Sequence, residues 1–494
     1  MFSFSTFTHH NEKSKFNHIE HVSNDYTVTV NGKEVPVYCC RISAMPFNRV
    51  WPEHQRNLDQ TELCSFVNLV SDEELTIEVK PNRAFNKAFV KPYSKNIVTK
   101  STDGVILFTL KENGGFVLGL DDLHHCLYIF NGKPVEAGDK SKITHYFGPG
   151  IYMPGKIELH SGDRVYVDKD ALVYGWIFAE NQENIEIYGN GIFDGSGEGR
   201  FSIHCYEDYT NGNFKMYDCK NIKVSGVGFR DSAIWCLNVF HCENMKFDSV
   251  NVFGQWRYNT DGCDIVNSHD IYLNNCFIHS FDDTVSIKGI ERYRKFDNFN
   301  IHLTGCVFWC DWGKTCTLGV ETYAKYYHDI SFKNCDILRA GGKACDVQNG
   351  NTAEIYNVWF EDIRVEVDGF SPEQQLQSMD SDVYTKQNTI IIPRIFNLEN
   401  FPFNSSEWGI WADKRHGNES CTHDVTAKDI TVYLDEKIPM NDDGTYPTPV
   451  YLSSTTDGIR FYNIVLENLV VNGKRLSYGE FPLFINNVDN FEMK

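Results

Sequence analysis

The sequence predicts an all-β chain: a right-handed parallel β-helix preceded by an N-terminal antiparallel β-sandwich. Three observations carry this expectation. A phrase of polar residue, Ile or Val, any residue, apolar residue recurs down the chain at irregular intervals. The repeats show no helical periodicity. Earlier in the chain, alternating apolar runs are joined by Asn-Gly turn signals.

The sandwich is expected over residues 1–140. Tyr26–Val30 alternates, Asn31-Gly32 turns, and Glu34–Tyr38 follows. A second hairpin is expected from Val105–Leu110, a turn at Asn113-Gly114-Gly115, and Phe116–Leu120. Strands of this length and spacing suit a small sandwich.

The β-helix is expected over residues 141–494. The phrase begins at Asn221, Asn244, Asp270, Asn300, Asp329 and Asn357, with spacings of 23, 26, 30, 29 and 28 residues, and later copies begin at Asp424 and Asn463. One coil of three short strands uses about that many residues. The leading Asn and Asp suit turns, where their side chains cap the backbone and tolerate left-handed conformations. Residues 368–420 break the rhythm and are expected to be a long loop inserted between rungs.

Composition limits the function. A net charge of −21 over 494 residues argues against nucleic acid or an anionic membrane as partner. It also disfavours a polyanionic substrate, unless local basic residues offset it. The start of the chain lacks a basic n-region followed by an apolar run, and no stretch is long and apolar enough to span a membrane. The 16 cysteines form no CxxC pair, and Cys219, Cys242, Cys276, Cys306 and Cys335 fall within the repeats. They read as small core residues in a reducing compartment, so a cytoplasmic location is expected and no metal site is.

The chemistry is concentrated in two acid clusters. Asn259-Thr260-Asp261-Gly262-Cys263-Asp264 is followed by Phe281-Asp282-Asp283-Thr284. Asp261 and Asp282 are roughly one coil apart, and neighbouring strands lie about 4.8 Å apart. Clustered acids repel one another and lose hydration, and such a cluster suits chemistry that needs one carboxyl protonated beside another ionised. Glycoside hydrolysis has that requirement. Adjacent strand residues point to opposite faces, so the strand is expected to end or bulge at Asp282-Asp283.

These motifs resemble two related β-helix glycosidase families. Asn259-Thr260-Asp261-Gly262 with Asp282-Asp283 at this spacing looks like the polygalacturonases. The dextranase and isopullulanase family looks similar over more of the chain, through the sandwich, His145–Tyr152, Val165-Tyr166-Val167, Ala171–Gly175, Thr260-Asp261-Gly262, Asp282-Asp283-Thr284 and Leu318–Thr322. The resemblance implies inversion by single displacement, with Asp282 as general acid and Asp261 and Asp283 holding and deprotonating water. It implies no cofactor.

Departures from the polygalacturonase pattern point toward a neutral sugar. Lys314-Thr315-Cys316 stands where that family has Gly-His-Gly, and Ala344–Asn349 stands where it has an Arg-Ile-Lys that grips a uronate. The expected substrate is therefore a neutral, α-glucan-like oligo- or polysaccharide, attacked from the chain end. The alternatives are a polygalacturonase-like hydrolase, a β-helix lyase or transferase on acidic or fructan-type sugars, and a non-catalytic sugar-binding β-helix. Asn259 and Asp264 are expected to shape the site, and Lys288 to contact substrate or an acid. Glu321, Asp346 and Gln348 are candidate sugar ligands. Trp256, Tyr258, Trp309 and Trp312 are candidate stacking platforms. Oligomeric state is left open.

Overall fold

The computed structural model describes residues 1–7, 21–43, 47–48, 58, 61–199, 212–369, 374–377, 384–387, 392–400, 421–454 and 461–494. No α-helix occurs among them.

Strands up to Gly132, apart from Phe47–Asn48, which pairs with Gln374–Gln377, form two facing sheets of six and five strands. Val28, Val30, Ile77, Val79, Ile106 and Phe108 of the five-stranded sheet pack on Leu69, Phe116, Leu118, Leu127 and Ile129 of the other. The first expected hairpin forms, with Val28 opposite Val35. The second does not. Val105–Leu110 pairs with Leu75–Pro81, whereas Gly114–Leu120 pairs with Asp122–Gly132 in the opposite sheet. The Asn113 turn thus crosses the sandwich, with Asn113 Nδ2 donating to the carbonyls of Ser71 and Gly132. The run Gly115–Leu120 is buried on both sides, which suits the middle of a three-layer stack and not a hairpin with a wet face.

Among the described residues from His145 onward, 29 strands form one continuous sheet, built of strands pairing in parallel with their counterparts one coil later, apart from Lys474–Arg475, which pairs antiparallel with Phe461–Val471. The coils have three faces. One carries Glu183–Gly189, Lys220–Ser225, Glu243–Asp248, His269–Asn274 and Asn298–Thr304, linked in register. Here the leading residues of the phrase all take left-handed backbone: Asn221, Asn244, Asp270, Asn300, Asp329, Asn357, Asp424 and Asn463 have φ between 51° and 58°. Asn and Asp adopt that region with less strain than other side-chain-bearing residues. The apolar residue that follows turns inward, and Ile222, Met245, Ile271, Ile301 and Ile330 stack in register as one column of the core. Cys219, Cys242, Cys276, Cys306 and Cys335 are buried in the same core.

A second face carries Ile192–Asp194, Gly228–Arg230, Asn251–Phe253, Phe277–Ser280 and Val307–Cys310. It docks on the outer surface of the six-stranded sheet. Phe253, Phe277, Val307, Trp309 and Leu338 meet Phe66, Val117, Tyr128 and Phe130 there. The fit is close: a Cβ on Gly115 would lie 2.5 Å from the Phe277 ring.

The third face carries Leu237–Phe240, Cys263–Val266, Val285–Gly289, Lys314–Thr322, Lys343–Asn349 and Arg394–Asn400. The expected loop over 368–420 is therefore interrupted by a full rung. Arg394–Asn400 pairs with Lys343–Asn349, and Ile395, Phe396 and Leu398 enter the core. Two short strands, Gln374–Gln377 and Tyr384–Gln387, pair with each other. The rest of that segment, 370–373, 378–383, 388–391 and 401–420, lies outside the described residues.

Candidate active site

The acid clusters stand at the start of successive rungs on the third face. Cys263 and Ile265 point into the core, so Asp264 points out from the strand between them. Asp282 and Asp283 lie just before the strand Val285–Gly289, in an irregular turn. The turn frees the two side chains from strict alternation, and both reach the same side as Asp261. One carboxylate oxygen from each of Asp261, Asp282 and Asp283 lies within 4.8 Å of the others. All three residues are buried.

Local bonds hold the turn in place. Ser280 Oγ donates to the Asp282 carbonyl at 2.6 Å and lies 2.9 Å from Thr284 Oγ1. The Asp283 N–H donates to Asp282 Oδ1 at 2.9 Å. Asn259 Nδ2 donates to Asp282 Oδ2 at 3.3 Å. On the next coil, Gly313 allows close approach: a Cβ there would lie 2.6 Å from both the nitrogen and Oδ1 of Asp283. The following residue, Lys314, grips Asp283 twice. Its N–H donates to Oδ1 at 2.9 Å, and its Nζ lies 3.1 Å from Oδ2.

Lys288 is the second cation of the site. It is buried, donates to Asp261 Oδ2 at 2.9 Å, and lies 2.7 Å from Asp264 Oδ1. Its ammonium also sits 3.8 Å from the centre of the Trp235 ring. Burial works against its charge, and Asp261 and Asp264 more than offset that, so its pKa is raised. Asp261 Oδ1 accepts no hydrogen bond from a described residue.

Electrostatics separate the acids. Burial pushes the Asp261 carboxyl up to about 6, with Lys288 pulling it down and Asp283 pushing it up. Asp282 is raised well above the usual carboxylate range by burial and by the charges of Asp261 and Asp283. Its backbone hydrogen bond does not reverse this. Burial likewise raises Asp264, against the pull of Lys288. The cluster thus pairs a carboxyl that retains its proton with one that ionises near pH 6.

The remaining expected site residues are distributed differently. Asp264 is fully buried beneath Lys288, so it anchors that lysine and does not face a sugar. Asp346 is also fully buried, with Thr317 Oγ1 donating to Oδ2 at 2.7 Å and Asn397 Nδ2 to Oδ1 at 2.6 Å. Gln348 donates to Glu399 Oε2 at 3.0 Å. Glu321 is half-buried and raises the pKa of both Lys288 and Lys314. Trp312 is half-buried and lies nearly parallel to Phe281, 6.1 Å away. Tyr258 is buried edge-on to the same Phe281 ring. Trp256 is nearly buried, and its Nε1 donates to Asp231 at 2.9 Å.

Trp309 is not a platform. It belongs to the docking face, where it is 2% exposed and lies 4.2 Å from the His279 ring. Its position alternates into the interface with the sandwich, a partner that the rung sequence alone does not reveal.

Sequence reading also missed a row of cations. Lys314, Lys343 and Arg394 occupy the same register position on three successive rungs. Lys343 lies 2.5 Å from Glu399 Oε2, and Arg394 Nη1 lies 3.1 Å from Oε1. Burial pushes Glu399 up, but Lys343 and Arg394 outweigh it and hold its carboxyl down at about 2. The expectation of a neutral sugar came from finding no cation within Ala344–Asn349. The cations stand at the strand starts, and the third arrives after the break in the repeats.

Comparison with known proteins agrees with this architecture. Residues 137–370 match the family model described as glycosyl hydrolases family 28. An exopolygalacturonase of Cochliobolus carbonum is 31% identical over 113 residues, 22% of this chain and 25% of that protein. One from Zea mays is 26% identical over 215 residues, 40% of this chain and 48% of that protein. The chain thus spans at most about half the length of these relatives. The solved structure of Dex49A from Penicillium minioluteum matches over 97% of this chain and 98% of its own, with a TM-score of 0.61 and 12% identity, a likeness of fold. The segment that carries all the clustered acids, residues 137–370, matches the glycosyl hydrolases family 28 model, and it is folded as a parallel β-helix like that of Dex49A.

Proposed function

We propose that the protein is a glycoside hydrolase that removes terminal sugars from uronate-containing oligosaccharides by inverting single displacement. Asp282 donates its proton to the glycosidic oxygen as the bond to the anomeric carbon breaks. Water attacks that carbon from the other side and passes a proton to Asp261, with Asp283 helping to hold it. The raised Asp282 and the lower Asp261 supply the acid and the base.

Spacing bears on the stereochemistry. Oxygens within 4.8 Å of one another let one water bridge two carboxylates at about 2.8 Å each. That is tighter than the roughly 6.5–9.5 Å between carboxyl groups in most inverting enzymes, and distance alone would suggest retention. Two ammonium groups support inversion. Lys288 pairs with Asp261 and Lys314 with Asp283, and an ion-paired carboxylate is a poor nucleophile that still orients water.

The substrate class rests on the cation row Lys314, Lys343 and Arg394. It supplies local positive charge that offsets the net −21, and the curated relatives named above are exopolygalacturonases. This reverses the preference for a neutral glucan drawn from the sequence. One observation favours the neutral-sugar reading: every cation of the row already has an acid partner.

A screen separates the two. Wild type and Asp282→Asn are incubated with oligogalacturonides and with neutral α- and β-linked oligosaccharides, and the first-formed anomer is followed by NMR. Inverted monosaccharide from oligogalacturonides, absent with Asp282→Asn, is the expected result. Cleavage of neutral oligomers alone would overturn the substrate class, and product of retained configuration would overturn the mechanism.

A further inference from the structure

A buried polar chain links the sandwich to the acid turn. Tyr128 of the six-stranded sheet places its hydroxyl 2.7 Å from His279 Nδ1. His279 Nε2 lies 3.0 Å from Asp311 Oδ2, and Trp309 Nε1 donates to Asp311 Oδ1 at 2.9 Å. All four residues are buried, and His279 is fully so. Burial raises the Tyr128 hydroxyl well above its ordinary range, so the phenol keeps its proton. The two imidazole nitrogens are thus each held by a partner, the Tyr128 hydroxyl on one side and the Asp311 carboxyl on the other.

His279 and Asp311 both adjoin the site. His279 stands two residues before Phe281 and three before Asp282. Asp311 N–H donates to the Ser280 carbonyl at 3.1 Å, and Trp312 N–H to the Phe281 carbonyl at 2.8 Å. Cys310, just before Asp311, points its thiol at the Asp282 carbonyl at 3.3 Å. Gly313 and Lys314, just after, pack on and grip Asp283. The turn bearing Asp282 and Asp283 is thus clamped against the turn after Cys310. His279 and Asp311 tie the two turns together, and Tyr128 ties them to the other domain.

We propose that Tyr128, His279 and Asp311 are positioning residues for the acid turn, so that the N-terminal sandwich supplies part of the catalytic geometry. This rests on the hydrolase reading above. None of the three touches substrate. A buried imidazole with hydrogen bonds on both nitrogens is fixed in ring plane and tautomer, which is how outer partners orient reactive groups elsewhere. Apolar packing would hold the domains together without them, since Phe66, Phe130, Phe253 and Phe277 already fill the interface.

The test compares Tyr128→Phe with Phe130→Leu in the full chain. Phe130 lies two residues further along the same strand, and its ring is 5.9 Å from that of Tyr128. Tyr128→Phe should lower kcat about tenfold while KM stays within about twofold. It should also move the alkaline limb of the pH–rate profile to lower pH, because a loosened turn admits water to Asp282. Phe130→Leu should lower Tm but leave that limb in place, and His279→Gln should keep more activity than His279→Leu. Wild-type kcat and an unmoved limb in Tyr128→Phe would overturn the proposal, as would the same limb shift in Phe130→Leu. If wild type cleaves no oligosaccharide, the hydrolase reading fails separately. The relay is then read from ¹³C-carboxyl titration of Asp282: a shift in Tyr128→Phe but not Phe130→Leu supports it, and no shift overturns it.

Discussion

Replacing Lys288 with Met removes the charge shared by Asp261 and Asp264 while keeping most of the buried stem. The ammonium lies 2.9 Å from Asp261 Oδ2 and 2.7 Å from Asp264 Oδ1. At an effective dielectric of about 20, the attraction at 2.9 Å is about 6 kcal/mol. The net cost of stranding the acids is smaller, about 3–5 kcal/mol, because buried carboxyls relieve it by taking up protons. A relief of about 3 kcal/mol corresponds to roughly two pH units, which carries the Asp261 carboxyl from about 6 to about 8. Asp261 must be ionised to accept a proton from water. The acidic limb of kcat/KM should therefore move up by about two units, with activity at pH 6 down about 100-fold and partly restored at pH 8. Stability follows the same sign. The folded pKa of Asp261 is raised, so its contribution is present below the unfolded value of about 3.9 and is lost as pH rises through the folded value. Lysine is charged throughout that window. In urea titrations the variant should match wild type near pH 4 and fall about 3–5 kcal/mol short near pH 8. An unmoved acidic limb, or a deficit independent of pH, would refute this account of the ion triad.

Three other outcomes are expected. Gly313→Ala places a Cβ 2.6 Å from Asp283 N and Oδ1, and a displacement approaching 1 Å should cost about 100-fold in kcat with a small change in Tm. Glu399 is held down at about 2, so it contributes about 3 kcal/mol above its unfolded pKa near 4.3, and that is lost as pH falls toward 2. Glu399→Gln should be destabilised at pH 7 and converge with wild type near pH 2 by urea titration, and its KM for oligogalacturonides should fall as Lys343 and Arg394 are released. Asn244→Ala forces alanine to a φ of 54° and should lose about 1–2 kcal/mol by thermal unfolding, with unchanged turnover.

The β-helix was legible because its signal is local. Each copy of the repeated phrase states its own turn, and Asn221, Asn244 and Asn300 each meet the backbone demand that makes Asn suitable there. The acid cluster was legible for a related reason: Asp261 and Asp282 stand one coil apart, and a regular coil brings them together. What sequence could not supply were contacts between segments with no common repeat. Gly114–Leu120 reads as half of a hairpin until the β-helix is known to cover its outer face. Trp309 reads as a platform for the same reason. Asp346 reads as a sugar ligand until Asn397 caps it, and Asn397 sits on a rung within the segment that reads as a long loop.

The docked sandwich also imposes an order of events during synthesis. Phe66, Tyr128 and Phe130 lie on a sheet face that is covered by Phe253, Phe277, Val307, Trp309 and Leu338, which leave the ribosome later. Trp309 follows Tyr128 by 181 residues, or about 10–35 s at ordinary elongation rates. For that interval a completed sandwich carries a bare aromatic surface, open to chaperones and to neighbouring nascent chains. The face that later helps to set the acid turn is therefore also where the newborn chain is most prone to stick.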